Sequence, residues 1–272
     1  GLCEFHPQTR LDGKSLDIFN SPVSDYAKRM VFFIGLAEAV SYWKCACPPV
    51  FRVECGEMSE DDKAFFKKLW FNGLGEFFYR NGIKTDIDSF VSIDAPEPKN
   101  IPQCEDYVSS GIEIVPVGGG KDSAVTTELL RPFGDKLRFF TVNDQPARTR
   151  CVLAGGYSED KIIKIYRTID PELLKRNAEG FLNGHTPFSS VVAFISMYAG
   201  FINGANDVIL SNESSANESN IGGENVNHQY SKSFEFERDF DEFRRRNFPQ
   251  SAVYFSLLRP FCELQIAKQF SQ

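Results

Sequence analysis

The chain has 272 residues, 42% of them hydrophobic, with 26 phenylalanines and a formal net charge of −7. That length accommodates one large domain or two modest ones, and so much apolar side chain excludes a globally disordered protein. The acidic balance argues against a general nucleic-acid binder, which needs a basic face.

Asp25 to Lys44 predicts a helix with a wide apolar face, stopped by Pro48-Pro49. Phe51, Val53 and Cys55 alternate with Arg52 and Glu54, a short strand pattern. Ser59 before Glu60-Asp61-Asp62 suits a helix N-terminus, and Phe65, Phe66, Leu69, Trp70, Leu74, Phe77 and Phe78 recur at helical spacing as far as Gly82. A proline-rich link from Ala95 to Gln103 follows, so residues 1–105 are expected to form a smaller N-terminal α+β domain. From Gly111 the rhythm changes. Strands are expected over Ile112 to Val117, Leu137 to Val142, Ile162 to Tyr166 and Val208 to Leu210. Helices are expected from about Asp122, through Arg150, and over Thr186 to Ile202, with Phe236, Phe240 and Phe243 on one side of a last, charged one. This alternation implies an α/β fold for residues 106–272, with a mainly parallel sheet and helices on both faces. Ligands then bind beyond the carboxyl ends of the strands, at Gly118, Asn143 and Ser211.

The apolar stretch Phe188 to Ile202 is too short to span a bilayer, which takes about 20 residues, and a buried helix is the better reading. The N-terminus lacks methionine and shows no basic start followed by a long apolar run, so no secretory signal is expected. Cys3, Cys45, Cys47, Cys55, Cys104, Cys151 and Cys262 are an odd, scattered set, which is not a disulfide framework. Cys45-x-Cys47 with Cys55 lacks a second paired half for structural zinc. Reduced thiols in a cytoplasmic protein fit best. Arg148, Arg150, Lys161, Lys164 and Arg167 form one basic cluster and Arg244-Arg245-Arg246 another; both read first as solvated helix faces.

Gly118-Gly119-Gly120-Lys121-Asp122-Ser123 lies between a buried strand and a helix. Successive glycines let the backbone approach an anion closely, and the helix N-terminus offers a positive end. A Walker A loop is excluded, because Asp122 follows Lys121 and Val115 stands where the first glycine belongs. The dinucleotide fingerprint needs glycine at position 123, where Ser123 stands, although Asp144 imitates its ribose-binding acid. The loop resembles the PP-loop pattern Ser-Gly-Gly-x-Asp-Ser, with Gly118 in place of the first serine. That resemblance implies the adenine-nucleotide alpha-hydrolase (Rossmann-like) type of sheet. It also implies a loop that grips pyrophosphate and leaves the α phosphate of ATP open to a nucleophile.

A second group of polar residues lies in Asn183-Gly184-His185-Thr186-Pro187, in Ser211 to Asn217 and in Val226 to Glu237. Such runs at a strand end are costly to bury without a ligand or a dense hydrogen-bond network, and a solvated loop is the plainer alternative. These stretches are similar to the UDP-N-acetylmuramoyl-L-alanyl-L-glutamate epimerase (MurL-type) family. So are Tyr42-Trp43-Lys44-Cys45-Ala46-Cys47-Pro48-Pro49 and Gly73 to Asn81, and the likeness runs from about Phe32 to Leu264. The resemblance implies ATP and Mg²⁺ as cofactors, a UDP-muramoyl dipeptide as substrate, and epimerisation of its terminal glutamate through an acyl-adenylate, with release of AMP and pyrophosphate. Members of the family continue past the equivalent of Gln272 with a Cys-rich segment, so the chain is expected to be a truncation or a shorter relative.

On this reading Gly118, Gly119, Gly120, Lys121 and Ser123 bind pyrophosphate. Asp122 and Glu213 are the expected Mg²⁺ ligands, although Asp122 equally suits a helix cap. Asn143 and Asp144 are expected beside adenosine, and Arg148 or Arg150 beside the substrate's anionic groups. His185, Glu213, Glu218, His228 and Lys232 are the candidates for the acid and base that flank the carbon, with His6 read as structural. Two rival readings stay open: a PP-loop ligase for another substrate, and a nucleotide-binding relative without turnover.

Overall fold

The computed structural model describes residues 3–11, 24–104, 107–217 and 230–271. In chain order the elements are β1 (Gln8–Leu11), α1 (Ser24–Trp43), β2 (Val50–Arg52), α2 (Glu60–Gly73), α3 (Gly75–Arg80) and β3 (Ser92–Asp94). There follow β4 (Ile112–Pro116), α4 (Lys121–Leu129), β5 (Leu137–Val142), α5 (Pro146–Ala154), β6 (Ile162–Thr168) and α6 (Pro171–Ala178). The chain closes with α7 (Phe188–Asn203), β7 (Ala205–Leu210), α8 (Phe234–Asn247), β8 (Val253–Ser256) and α9 (Glu263–Phe270).

The central sheet has the order β1-β6-β5-β4-β7-β8. Its pairs are parallel, apart from β1 against β6. In register, Val115 lies beside Phe139 and Ile114 beside Val208. The inner strands are buried on both faces, as parallel sheets require, so β4 and β5 read as nearly continuous apolar runs. A separate two-stranded parallel pair joins β2 to β3. The mainly parallel sheet expected from the sequence is present. Five elements were not anticipated: β1, β3, β8, α6 and α9. Each is short, the three strands having four, three and four residues. The helix expected to run from residue 60 to Gly82 is divided at Leu74, whose φ of −101° and ψ of 8° depart from helical values. The division coincides with a crowded contact: a Cβ on Gly73 would lie 2.6 Å from Pro187.

The two faces of the sheet are filled unequally. One carries a large aromatic core in which α1, α2, α7 and α8 meet the strands. Phe33 stacks on Phe66 at 5.7 Å, Phe66 on Phe194 at 5.5 Å, and Phe33 meets Phe243 edge-on at 4.8 Å. Residues of the first hundred and residues beyond Gly111 thus share one core. The other face holds a smaller cluster with Val115, Phe139, Val152 and Ile209, beneath α4 and α5. The buried helix expected near residues 186–202 is α7, buried along most of its length and ended by Gly204 at φ +67°. Among the described residues no helix is long and apolar enough to cross a membrane.

Strand order locates the site. From β4 the chain builds outward through β5 to β6, then α7 carries it back so that β7 enters on the other side of β4. The order reverses between β4 and β7, and in open parallel sheets the crevice beyond such a reversal is where ligands bind.

Candidate functional site

The loop after β4 is built to leave a helix end bare. Gly120 is the N-cap of α4, and among the described residues no side chain caps that terminus. The first N–H groups of an α-helix lack intrahelical partners and carry partial positive charge, so an uncapped end is an anion site. The loop is braced from within by the Gly118 N–H, which donates to Ser123 Oγ at 2.9 Å. Gly119 has φ +85°, and a Cβ there would lie 2.9 Å from the backbone of Ala147 and Arg148, so the loop can approach α5 only as glycine.

A cavity of about 300 Å³ opens over this loop. Pro116, Val117, Gly118, Gly120, Asp122 and Ser123 form one side, and Phe140, Val142 and Arg148 extend it along β5 and α5. Phe188, Ser189 and Val192, from the first turns of α7, face Ser211 and Asn212 at the end of β7. An apolar wall thus stands beside a polar floor, the usual make-up of a small-molecule site. Three polar atoms near it have no hydrogen-bond partner among the described residues: Ser211 Oγ, Glu213 Oε2 and Arg148 Nε. Nη1 of the same Arg148 guanidinium donates to the carbonyls of Val142 and Asn143. Glu213 Oε1 accepts from Ser215 Oγ at 2.8 Å. Lys121 Nζ lies 2.8 Å from Asp122 Oδ1 and 3.5 Å from Glu263. The Asp122 hydrogen bond foremost, with the charges of Glu213 and Glu263 behind it, holds the Lys121 ammonium above its ordinary pKa.

The expected site residues divide accordingly. Gly118, Gly120, Asp122 and Ser123 line the cavity. Gly119 supports the loop, and Lys121 and Glu213 are coupled by charge at its edge. Asn143 and Asp144 are not among the lining residues. Asn143, at φ +56°, takes the Arg167 N–H on Oδ1 at 2.7 Å and donates from Nδ2 to the Arg167 carbonyl at 2.9 Å, so its side chain extends the β5–β6 pairing. Asp144 accepts from Lys164 and Thr149, both at 3.1 Å, and Lys164 holds its carboxyl below the usual range. His185 precedes α7 with Nδ1 4.0 Å from the Glu76 carboxylate, and it does not line the cavity. Lys232 is exposed, with its carbonyl bonded to Arg259. Arg150 is exposed on α5. His228 and Glu218 lie outside the described residues.

The basic clusters require correction. Arg167 is on a strand, bonded to both carboxylate oxygens of buried Glu38 at 2.7 and 2.6 Å, and its guanidinium lies over the Phe188 ring at 5.3 Å. Arg244 is buried and paired with Asp241 at 2.8 Å. Neither belongs to a solvated face. Sequence reading also passed over Lys44, which is buried and donates to the Gly184 carbonyl and to Thr186 Oγ1, the latter at 2.7 Å. Burial first, and the Arg167 charge second, push its pKa down to about 8. The C-terminal end of α1 therefore holds the segment that leads into the cavity wall at Phe188. The end of β8 and the turn after it were missed as well: Asn212 Nδ2 donates to Ser256 Oγ at 3.0 Å, and the Phe261 carbonyl takes both the N–H and the Oγ of Ser214, at 3.1 and 2.9 Å. All seven cysteines are free.

The model of the MurL N-terminal domain family matches residues 2–257 of the chain. The chain is 34% identical over 241 residues to a UDP-N-acetyl-alpha-D-muramoyl-L-alanyl-L-glutamate epimerase of Xanthomonas oryzae pv. oryzae, a match covering 88% of this chain and 52% of that protein. Proteins of the same name from Micromonospora sp. and Salinispora tropica are 32% and 31% identical, with 90% of this chain covered in each case and 54% and 52% of theirs. The chain spans about half the length of these curated relatives. No solved structure matches it.

Proposed function

The chain belongs to the MurL N-terminal domain family, and from that premise we propose that it is the nucleotide-binding part of an epimerase that inverts the terminal L-glutamate of UDP-N-acetylmuramoyl-L-alanyl-L-glutamate at the expense of ATP. The observation that carries the reading is the cavity at the reversal of strand order, which joins an uncapped helix end and its glycine loop to the polar residues after β7.

In this reading the N–H groups of Gly118, Gly119 and Gly120, the Lys121 ammonium and the Ser123 hydroxyl receive the β and γ phosphates. Phe140, Val142, Phe188 and Val192 provide the apolar wall for the base. The donors suit magnesium: Asp122 and Glu213 Oε2, which has no partner among the described residues, are hard oxygens, and this ion is usually held by one or two carboxylates together with substrate phosphates. Among the described residues there is no group of three or more His, Cys, Asp and Glu that would make an all-protein cage. When bound, the ion neutralises phosphate charge and favours departure of pyrophosphate.

The chemistry explains why ATP is used. A glutamate α-proton is barely acidic while the adjoining carboxylate is charged. Attack of a carboxylate oxygen on the α phosphorus expels pyrophosphate and leaves an acyl-adenylate, in which the carboxylate charge is gone from the acyl carbon and the carbonyl takes up the electron pair when the proton leaves. A base removes that proton from one face, an acid returns one to the other, and water then cleaves the anhydride to give AMP and the D-glutamyl product. His185, His228 and Lys232 are the proposed proton carriers. ATP and UDP-linked precursors are cytoplasmic, so the reading implies a cytoplasmic enzyme of cell-wall precursor synthesis that acts on neither nucleic acid nor membrane.

The test runs the reaction in D₂O and follows the glutamate α-position by NMR, with this chain and the longer Xanthomonas relative side by side. Deuterium should enter only when ATP and Mg²⁺ are both present. AMP formation without exchange would replace the epimerase with a ligase. ATP binding without AMP would leave a nucleotide-binding module.

A further inference from the structure

We propose that Arg259 is a positioning residue that sets the Glu213 carboxylate against the phosphate loop. The inference rests on reading the cavity as a Mg²⁺–ATP site. Arg259 lies in the turn after β8 and is nearly buried, with 13% of its side chain exposed. Its Nη1 donates to the Glu213 carbonyl at 3.0 Å, and its Nη2 to the Lys232 carbonyl at 2.6 Å. Nε and Nη2 both donate to Glu237 Oε2, at 3.2 and 3.0 Å. One guanidinium therefore ties the stretch that leaves β7 to the stretch that enters α8, with buried Glu237 as its counter-ion.

Two further observations give this joint a consequence. Glu213 Oε2 has no partner among the described residues, and Oε1 has the Ser215 hydroxyl, so the location of the carboxylate follows the backbone that Arg259 holds. Glu213 directly follows Ser211 and Asn212, which line the same cavity as the phosphate loop, and its charge is among those felt by Lys121 of that loop. The N-terminus of α8 does not need the arginine as a cap: Ser233 already caps this helix, accepting from the Phe236 N–H at 3.1 Å. Three separate acceptors in different directions match a planar fork of N–H groups and not the single point charge of lysine.

The test compares wild type with Arg259→Lys, Arg259→Ala and Glu213→Gln. Mg²⁺ is titrated at fixed ATP by calorimetry, and hydrogen exchange is measured on the ligand-free protein. Arg259→Lys should raise the Mg²⁺ needed for half-saturation about tenfold, the lower end for loss of a residue that orients a ligand, while ATP affinity at saturating Mg²⁺ stays within about twofold. Glu213→Gln should give a similar shift, and the double variant should add nothing. Guanidinium ion at millimolar concentration should restore Arg259→Ala. A folded Arg259→Lys with wild-type Mg²⁺ dependence, or a shift that adds to that of Glu213→Gln, overturns the proposal. Should Arg259→Ala fail to fold with Glu237 left unpaired, the pair Arg259→Met with Glu237→Gln removes both charges and takes its place. If wild type binds neither ATP nor Mg²⁺, the nucleotide reading falls and exchange alone judges Arg259. Peptides around Glu213 and around Lys232 must then lose protection together, by about tenfold or more; loss in one or in neither overturns the joint.

Discussion

Two groups of polar side chains border the aromatic core, and they are finished differently. Arg29, Asp62 and Asn247, from α1, α2 and α8, are all buried. Arg29 meets Asp62 at 3.2 Å and Asn247 at 2.6 Å, Asn247 donates to the other Asp62 oxygen at 2.7 Å, and Asp62 also takes the Ser59 N–H at 3.2 Å. At the cavity, by contrast, Ser211, Glu213 and Arg148 each keep an atom without a partner among the described residues. An unpaired buried polar group costs about 1–3 kcal/mol, so a closed network suits a structural role and open valences suit a ligand. The distinction is one of satisfaction, since residue types and burial overlap between the two.

The comparison breaks most easily at its structural half. Asp62→Ala strands the Arg29 charge in the core and should cost about 3–5 kcal/mol in urea unfolding. A loss below about 1 kcal/mol would deny the network its structural role. On the ligand side, Ser123→Ala should weaken ATP binding about tenfold or more, or roughly 1.5–3 kcal/mol, by calorimetry. Equal affinity in the variant would take the loop out of the site.

Lys44 is an intermediate case that sharpens the contrast, because it bonds a carbonyl and a hydroxyl where Arg29 has a carboxylate. Its folded pKa of about 8 lies below the usual 10.5, so between these values the unfolded chain binds more protons and stability rises with pH. The rise should be on the order of 2 kcal/mol in wild type and absent in Lys44→Met, as urea midpoints from pH 7.5 to 10.5 would report. A parallel rise in both proteins would show that another group supplies it. The smallest effect is expected of Glu213→Gln, which removes a partly buried charge with one open valence. Without ligand its stability should stay level or rise by up to about 1 kcal/mol, a sign opposite to its effect on Mg²⁺ binding. Clear destabilisation in a thermal melt would move Glu213 to the structural side of the comparison.

Part of the cavity lining was legible in advance. Gly118 to Ser123 announced a tight strand–helix turn, and the register of β4 with its neighbours turned that turn toward a common cavity. The structural side was not legible. Asp62 reads locally as one of three first-turn acids of α2, and its second role depends on Asn247, 185 residues away. Nor was the bonding of Asn143 legible: its place at a strand end suggested a ligand, and its side chain bonds the backbone of Arg167 on the neighbouring strand.

What the sequence by itself determined is local and periodic: the strand–helix alternation, the apolar α7, the Ser59 start of α2, and a glycine loop free to take φ +85° at Gly119. These follow from backbone sterics and from side-chain period, which act over a few residues. The tertiary structure decided which charges met. Glu38 received Arg167 across 129 residues, Lys44 received the Gly184 carbonyl across 140, and Arg259 joined Glu213 across 46. No repeat encodes such pairs. They form because each buried charge or donor must find a partner once the aromatic core has brought the helices together, and only the packed chain sets which partners are within reach.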